Sequence, residues 1–118
     1  MTATITASLS ATSASAATPS ASLTKSYTST GADLASITQA IGTSYEQLSL
    51  PADLSFPAHL QITNDSGSGT VSVAVTAADT YKFASLAPGA TMVIPSCPAN
   101  PYLKGDVACQ VAVRACEE

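Results

Sequence analysis

The most regular feature of the chain is an alternation of apolar and polar residues. Apolar side chains take every second position from Val71 to Ala77 and again from Val107 to Val113. A period of two is typical of a β-strand that buries one face. Large aliphatic residues do not recur at helical spacing over more than two turns, and only residues 32–41 fit a short helix as well as a strand. The pattern therefore predicts a domain built of β-strands.

Similar runs, separated by turn residues, extend this prediction along the chain. We expect strands within the ranges 35–41, 58–63, 71–77, 81–85, 91–95 and 107–114. The segment 64–69, rich in Asn, Asp and Gly, predicts a turn that joins the second and third of these strands as a hairpin. Six to eight short strands favour a single all-β domain, either a β-sandwich of the jelly-roll type or a Greek-key barrel.

The N-terminal segment differs from the rest of the chain in composition. Residues 1–24 contain no charge, and after the initial Met 19 of the 23 residues are Ala, Ser or Thr. We expect an extended arm there, followed by a β-sandwich domain at residues 25–118. The alternation around Ile5 and Leu9 also allows a strand that orders against a partner, so these two residues are candidate interface positions. Residues 13–22 predict a linker.

The overall composition limits the classes of function. Ala, Ser and Thr fill 54 of 118 positions, whereas Leu, Ile, Val and Phe together fill 23. Such a chain has a thin core, so we expect neighbouring chains to add buried surface. Four scattered basic residues in a chain of net charge −4 exclude the cationic surface of a nucleic-acid-binding protein. We also expect no membrane partner and no secretory signal, because neither kind of apolar segment is present.

Residue types that carry chemistry are sparse. His59 is the only histidine, and it falls on the polar side of a predicted strand, where we expect it to be exposed. The eight carboxylates form no facing pair on a strand, and Asp65 with Asp79 or Asp106 would bind Ca²⁺ only if their loops converge. We therefore predict no enzymatic activity, no catalytic residue, no metal and no cofactor.

The three cysteines lack the Cys-x-x-Cys spacing of zinc and redox sites. Cys109 alternates with valines, which indicates a small core residue. Cys97 lies in a Pro-rich segment and Cys116 near the chain end, so we expect both to be exposed. They are candidates for a disulfide with each other or for a crosslink between subunits.

Tyrosines supply most of the large side chains that remain for contacts. Tyr81 and Phe83 share a predicted strand and are assigned to the core. Tyr102 lies in a predicted loop at residues 96–105 and is the candidate interface anchor. The alternative is that Tyr102 folds over its own domain.

Several short motifs occur in an order that resembles a known family. The chain has GTSYEQL at residues 42–48, PAHLQITN at 57–64, a Val-rich strand, and LAPGA at 86–90 before another strand. A short alternating strand then ends in two acidic residues. Over residues 24–118 this order is similar to the small β-sandwich virion proteins of tailed bacteriophages. The resemblance implies a repeated, non-enzymatic structural subunit of the capsid or tail, and it brings no catalytic residue.

From this resemblance and the thin core we expect a virion structural protein, assembled in the host cytoplasm and acting as a capsid decoration or cement subunit. A tail, neck or collar subunit is the alternative. The expected partners are the major capsid protein or other virion proteins, and copies of the chain itself, with a trimer as one symmetry to consider. A surface carbohydrate-binding module is a further alternative, which the absence of Trp disfavours.

Overall fold

Ten strands and one short 3₁₀ turn make up the regular structure of the described residues. The computed structural model describes residues 3–11, 21–29 and 34–118. The strands are β1 (Ala3–Ala11), β2 (Ala21–Ser29), β3 (Leu34–Ile41), β4 (Glu46–Gln47), β5 (Ala58–Asn64), β6 (Val71–Ala74), β7 (Lys82–Leu86), β8 (Thr91–Cys97), β9 (Tyr102–Gly105) and β10 (Cys109–Glu117). The 3₁₀ turn, Asp79–Tyr81, precedes β7. Within the described ranges, no helix has the length and apolar character needed to span a membrane.

Strands β3 to β10 form two antiparallel sheets of four strands. The first sheet has the order β3-β10-β5-β8 and the second the order β4-β9-β6-β7. Among these eight strands the first pairs with the last, the second with the second-last, and so on inward to β6 and β7. A ribbon of antiparallel pairs folded over in this way is a jelly roll. The prediction of an all-β sandwich is confirmed, and residues 34–41 form a strand, not a helix.

The hydrophobic core lies between the two sheets. In β10, Val111 and Val113 are fully buried whereas Gln110 and Arg114 are exposed, as the alternation predicts. The main core consists of Ile41, Leu48, Ile62, Val71, Val73, Leu86, Leu103, Cys109, Val111 and Val113. A smaller cluster at one end of the first sheet consists of Leu54, Ala58, Leu60, Cys97 and Ala115. Val107, which the alternation places on the buried side, lies before β10 and is 47% exposed.

The hairpin predicted across residues 64–69 does not form, because this segment crosses from one sheet to the other. Strand β5 pairs with β10 and β8, whereas β6 pairs with β7 and β9. Asn64 is fully buried at the crossing, and its side-chain amide donates to the carbonyls of Gly69 and Leu86, each at 2.9 Å. Its side-chain oxygen accepts the Ser66 N–H at 3.2 Å. One side chain thus ties the end of the first sheet to the crossing segment and to the end of β7.

Gly69 shows why the crossing needs a glycine. Its φ is +88°, in the region that favours glycine. A Cβ atom there would lie 2.5 Å from Val107 and 2.8 Å from the Cys109 sulfur. A side chain at this position would therefore strain the backbone and push into the core.

Strands β1 and β2 form a separate two-stranded antiparallel sheet. Their register pairs Ile5 with Tyr27 and Leu9 with Leu23. The structure thus has a strand in the arm, as the alternation allows. Strand β2 begins inside the linker predicted at residues 13–22 and continues past residue 24, the expected boundary of the arm. In the described backbone neither strand joins the sheets of the sandwich.

Candidate interaction surface

The outer face of the second sheet carries three hydrogen-bonded side chains, Tyr45, Asp79 and Lys104, which we call the polar cluster. The Lys104 Nζ lies 2.9 Å from Asp79 Oδ1, and the Tyr45 hydroxyl donates to the same oxygen at 2.8 Å. The Lys104 ammonium also lies 4.8 Å from the centre of the Tyr45 ring. A carboxylate and an aromatic face together hold this ammonium in one position.

The sheet brings the polar cluster together from three parts of the chain. In β9, Leu103 and Gly105 are buried, so Lys104 points outward between them. Tyr45 comes directly before β4, which pairs with one side of β9. Asp79 begins the 3₁₀ turn that follows β6, the strand on the other side of β9.

Each member of the polar cluster shifts the pKa of its neighbours. The hydrogen bond from Lys104, and then that from Tyr45, lowers the pKa of Asp79 below its ordinary value. The same contact with Asp79 raises the pKa of Lys104. Desolvation, and after it the hydrogen bond to Asp79, raises the pKa of Tyr45. At neutral pH the polar cluster therefore holds one positive charge, one negative charge and a neutral phenol.

Three exposed apolar side chains lie on the segment that contributes Asp79. Val75, Tyr81 and Phe83 are 63%, 56% and 50% exposed, and we call them the apolar patch. Asp79 and Tyr81 belong to the same 3₁₀ turn, and the Val75 N–H closes this segment by donating to the Tyr81 carbonyl at 3.2 Å. An apolar centre flanked by fixed polar groups is the usual composition of a protein-binding surface.

The assignment of Tyr81 and Phe83 to the core is wrong. Tyr81 belongs to the 3₁₀ turn, where strand alternation does not apply. The register of β6 and β7 shifts between Val73 and Ala74, which leaves Phe83 as an extra residue on β7. Ala84 and Leu86 take the core-facing positions of β7, so Phe83 shares the outer face with Ser85, and the prediction placed the larger side chains on the wrong face.

Tyr102 lies in a strand, which corrects the loop predicted at residues 96–105. Strand β8 extends to Cys97, and β9 begins at Tyr102. Tyr102 is half-buried and pairs with Gln47 on one side and with Ala74 on the other. It shares the outer face with Lys104 and is adjacent to the strand end that leads to Val75. Its role as an interface anchor stays a prediction, as do those of Ile5 and Leu9, whose side chains lie outside the described part of the structure.

The structure corrects the expectation that Cys97 and Cys116 are exposed. Both are buried, and all three cysteines are thiols. Cys97 pairs with Ala58 on one side of β5, and Cys116 pairs with His59 on the other side. Two strand spacings, about 9–10 Å, separate them, whereas a disulfide needs Cα atoms within about 7 Å. An intrachain disulfide between them is therefore excluded by the fold.

A crosslink between subunits through Cys97 or Cys116 stays a prediction, and the structure disfavours it at Cys97. Burial raises the pKa of the Cys97 thiol, and this thiol donates a hydrogen bond to the Ala99 carbonyl at 3.1 Å. A buried thiol with a raised pKa forms little thiolate, which is the species that reacts.

His59 is 4% exposed, although its place in the alternation predicts an outward side chain. The Ser96 N–H donates to its Nδ1 at 3.0 Å. Ser96 has a φ of +48° and lies where the register between β5 and β8 shifts. This bulge turns the backbone of β8 toward the imidazole.

The outer face of the first sheet differs in character. A shallow groove of 330 Å³ is lined by Ser36, Ile37, Thr38, Gln61, Thr63, Ala112, Val113 and Arg114. Five of its eight lining residues are polar, and Arg114 is the one charged member. A groove without a carboxylate or a nucleophile pair offers hydrogen bonds but no acid–base chemistry.

The carboxylates considered for Ca²⁺ do not converge. Asp79 binds Lys104, and Asp106 accepts the Thr70 N–H at 2.8 Å. Across residues 34–118 and the two described N-terminal strands, no group of three His, Cys, Asp or Glu side chains is arranged to hold a metal ion. The predicted lack of enzymatic activity is untested and stays a prediction.

Comparisons with protein-family models, with curated proteins and with solved structures find no match to this chain. Two kinds of observation remain for a proposal of function: the order of sequence motifs and the arrangement of the surface.

Sequence reasoning missed the polar cluster and most of the apolar patch. Tyr45, Asp79 and Lys104 are far apart in sequence, and only the strand order β4-β9-β6 brings them together. One local signal is Asp79, two residues before Tyr81, because Asp is depleted in strands and favoured in turns.

Proposed function

We propose that the chain is a structural protein of a tailed-bacteriophage virion, acting as a decoration or cement subunit. It would bind the major capsid protein through the apolar patch and the polar cluster. Attachment to the tail, neck or collar through the same surface is the alternative position. The order of sequence motifs supports the virion assignment, and the exposed aromatic residues support a binding role.

The observation that carries the proposal is the exposure of Tyr81 and Phe83 in a chain with few large apolar residues. Exposing half of each ring on one hairpin, while smaller aliphatic residues are buried, leaves apolar area that a partner would cover. Tyr102 lies on the same face, and tyrosine is enriched among the residues that dominate binding energy. The paired charges of Asp79 and Lys104 suit the polar rim of such an interface.

Jelly rolls are found in viral capsid proteins and in lectins, so the fold is compatible with this role but does not select it. The thin core also fits a subunit that is stabilised by its neighbours, because contacts that exist only in the assembly add to the stability of the folded state.

The test is attachment to assembled shells by the double variant Tyr81→Ser/Phe83→Ser. Heads assembled from the major capsid protein encoded in the same genome are mixed with the purified chain and separated on a gradient. We expect binding to weaken about tenfold or more, as for aromatic residues central to an interface. The matched control is Val107→Ser, because Val107 is also an exposed apolar residue but lies at the opposite end of the second sheet, beyond Gly105. Unchanged binding by the double variant, or equal loss in the control, would contradict the proposal.

A carbohydrate-binding module is the second candidate, and the exposure of Tyr81 favours it. Exposed aromatic rings beside hydrogen-bonding groups are suited to sugars, and the polar cluster supplies such groups next to the ring. Saturable binding of the isolated chain on a glycan array, lost in Tyr81→Ala and kept in Val107→Ser, would support this candidate over the first.

A further inference from the structure

The four edge strands of the sandwich differ in how well they are protected from pairing with another strand. Strand β4 has only two residues. Strand β7 begins with a lysine and contains an irregular register. Strand β8 contains Pro95 and a bulge at Ser96, whose φ is +48°. Short length, charge, proline and bulges are the features that keep sheet edges from associating.

Strand β3 has none of these features. It is eight residues long, contains no Pro, Gly or charged residue, and pairs one-to-one with β10 without a register shift. Among the described residues, no strand pairs with its other side. An edge strand leaves alternate backbone N–H and C=O groups free to pair with another strand.

We propose that the outer edge of β3 pairs antiparallel with β3 of a second copy of the chain. The two first sheets then join into one eight-stranded sheet about a two-fold axis. This inference rests on the strand edges alone and does not depend on the proposed function.

Symmetry restricts the register of such a pair. The axis must be normal to the sheet, so the core-facing side chains of both copies stay on one side of the joined sheet. In β3 the odd-numbered residues Ala35, Ile37, Gln39 and Ile41 face the core, and the even-numbered residues Ser36, Thr38 and Ala40 face solvent. Two residues that lie opposite each other must therefore both be odd-numbered or both be even-numbered. Among the registers that meet this condition, the two that pair the most residues are centred on Ile37 or on Thr38.

The side chains of β3 favour a second copy of the chain as the partner that pairs with its outer edge. Self-pairing places no charge opposite a like charge, because the strand has no charge at all. Its solvent-facing residues are small, so two copies can approach to the ordinary strand spacing. Ile37, which packs against the main core but stays partly exposed at the edge, gains cover from the inner face of the second copy. The edges of β7 and β8, which carry a charge or a bulge, lack these features and are less suited to pairing with a second copy.

The first test is site-directed crosslinking with Thr38→Cys in the full-length chain. Across a two-fold at Thr38, the Cα atoms of the two copies lie about 4.5–5.5 Å apart, and with the axis at Ile37 they are diagonal neighbours. A short bifunctional maleimide should therefore give a covalent dimer in either register. The matched control is Ser85→Cys, an exposed position on edge strand β7. The native thiols are buried, so the unmodified chain should give little product.

The second test measures association by light scattering after size exclusion. We expect the native chain to be a dimer, and Thr38→Lys to shift it to monomer at the same concentration, because two like charges then meet at the axis. Thr91→Lys, an exposed position on edge strand β8, should leave the dimer intact. A monomeric native chain, or a dimer that resists Thr38→Lys and does not crosslink through position 38, would overturn the proposal.

Discussion

The two sheets of the sandwich share one core but present very different outer faces. The first sheet has strands of seven to nine residues and an outer groove lined mainly by polar side chains. The second sheet has strands of two to five residues, and it presents the polar cluster and the apolar patch. The long strands of the first sheet form the framework of the domain. In the second sheet, bulges and turns interrupt the strands, and side chains there become available for contact.

The two sheets are also suited to two different kinds of association. The first sheet offers a backbone edge, where main-chain hydrogen bonds would join copies of the chain. The second sheet offers aromatic side chains, where recognition of a different surface would take place. A subunit that binds its own copies at one edge and another protein on the opposite sheet is suited to repeated attachment on a larger assembly.

The largest expected effect comes from breaking the connection between the sheets. Asn64→Ala should lower the free energy of unfolding by about 3 kcal/mol, because the buried carbonyls of Gly69 and Leu86 lose their donor. Urea denaturation followed by circular dichroism measures the change. The control is Asn100→Ala, since the side-chain oxygen of Asn100 has no hydrogen-bond partner among the described residues, and its loss should cost much less. Equal destabilisation by both variants would show that the hydrogen bonds of Asn64 do not connect the two sheets.

The next largest effect compares the loss of stability when valine is replaced by alanine at two places, the core side of the first sheet and the apolar patch. Val113→Ala, in the middle of the first sheet, should cost about 2 kcal/mol because it opens a cavity in the core. Val75→Ala, in the apolar patch, should cost less than about 0.5 kcal/mol because the side chain is already largely in water. The same denaturation experiment measures both. A similar loss in the two variants would mean that Val75 is packed in solution and that the patch is not a free surface.

The smallest effect concerns the pH dependence of the polar cluster. The folded pKa of Asp79 is lowered from an ordinary 3.8, so the stability it contributes is present above that pH and is lost as the pH falls through the lower folded value. The folded pKa of Lys104 is raised from 10.5, so its contribution is present below that pH and is lost as the pH rises through the higher folded value. Asp79 is exposed and Lys104 is partly exposed, so the effect is small, and it should shrink further with added salt.

Asp79→Asn should lower the melting temperature slightly on the neutral plateau and leave it nearly unchanged at low pH, so the acidic limb becomes flatter. Thermal melts at low ionic strength measure this, and Asp53→Asn is the control because Asp53 is an exposed carboxylate outside the polar cluster. An acidic limb that is the same in native chain and Asp79→Asn would show that the contact with Lys104 adds nothing in solution.

Much of the fold could be predicted because its signals are local. The strands β3, β5 and β10 alternate cleanly, so the buried residues Ile62, Val111 and Val113 follow from a period of two. The turn before β8 is equally local: Gly89 has a φ of +79°, and the Ala90 N–H donates to the Ala87 carbonyl at 2.9 Å. A short all-β chain with such strands has few stable arrangements, and a sandwich is one of them.

The candidate site could not be predicted in the same way. The turn residues at 64–69 indicate that the chain reverses, but not which sheet it enters next, and the buried Asn64 amide decides that. Phe83 is exposed because Ala84 and Leu86 take the core-facing positions of β7. His59 is buried because the bulge in β8 brings the Ser96 backbone against it. Cys97 and Cys116 are candidates for a disulfide from the sequence, yet β5 lies between their strands.

By itself the sequence determined the strand-forming segments, the burial of alternate residues and the lack of charge in β3, because each depends on neighbours within a few positions. Only the tertiary structure decided that Tyr45, Asp79 and Lys104 meet, that Tyr81 and Phe83 stay exposed, and that β3 is an open edge. Those features depend on which distant strands pair, and strand pairing is set by how the whole set of apolar faces can be buried at once.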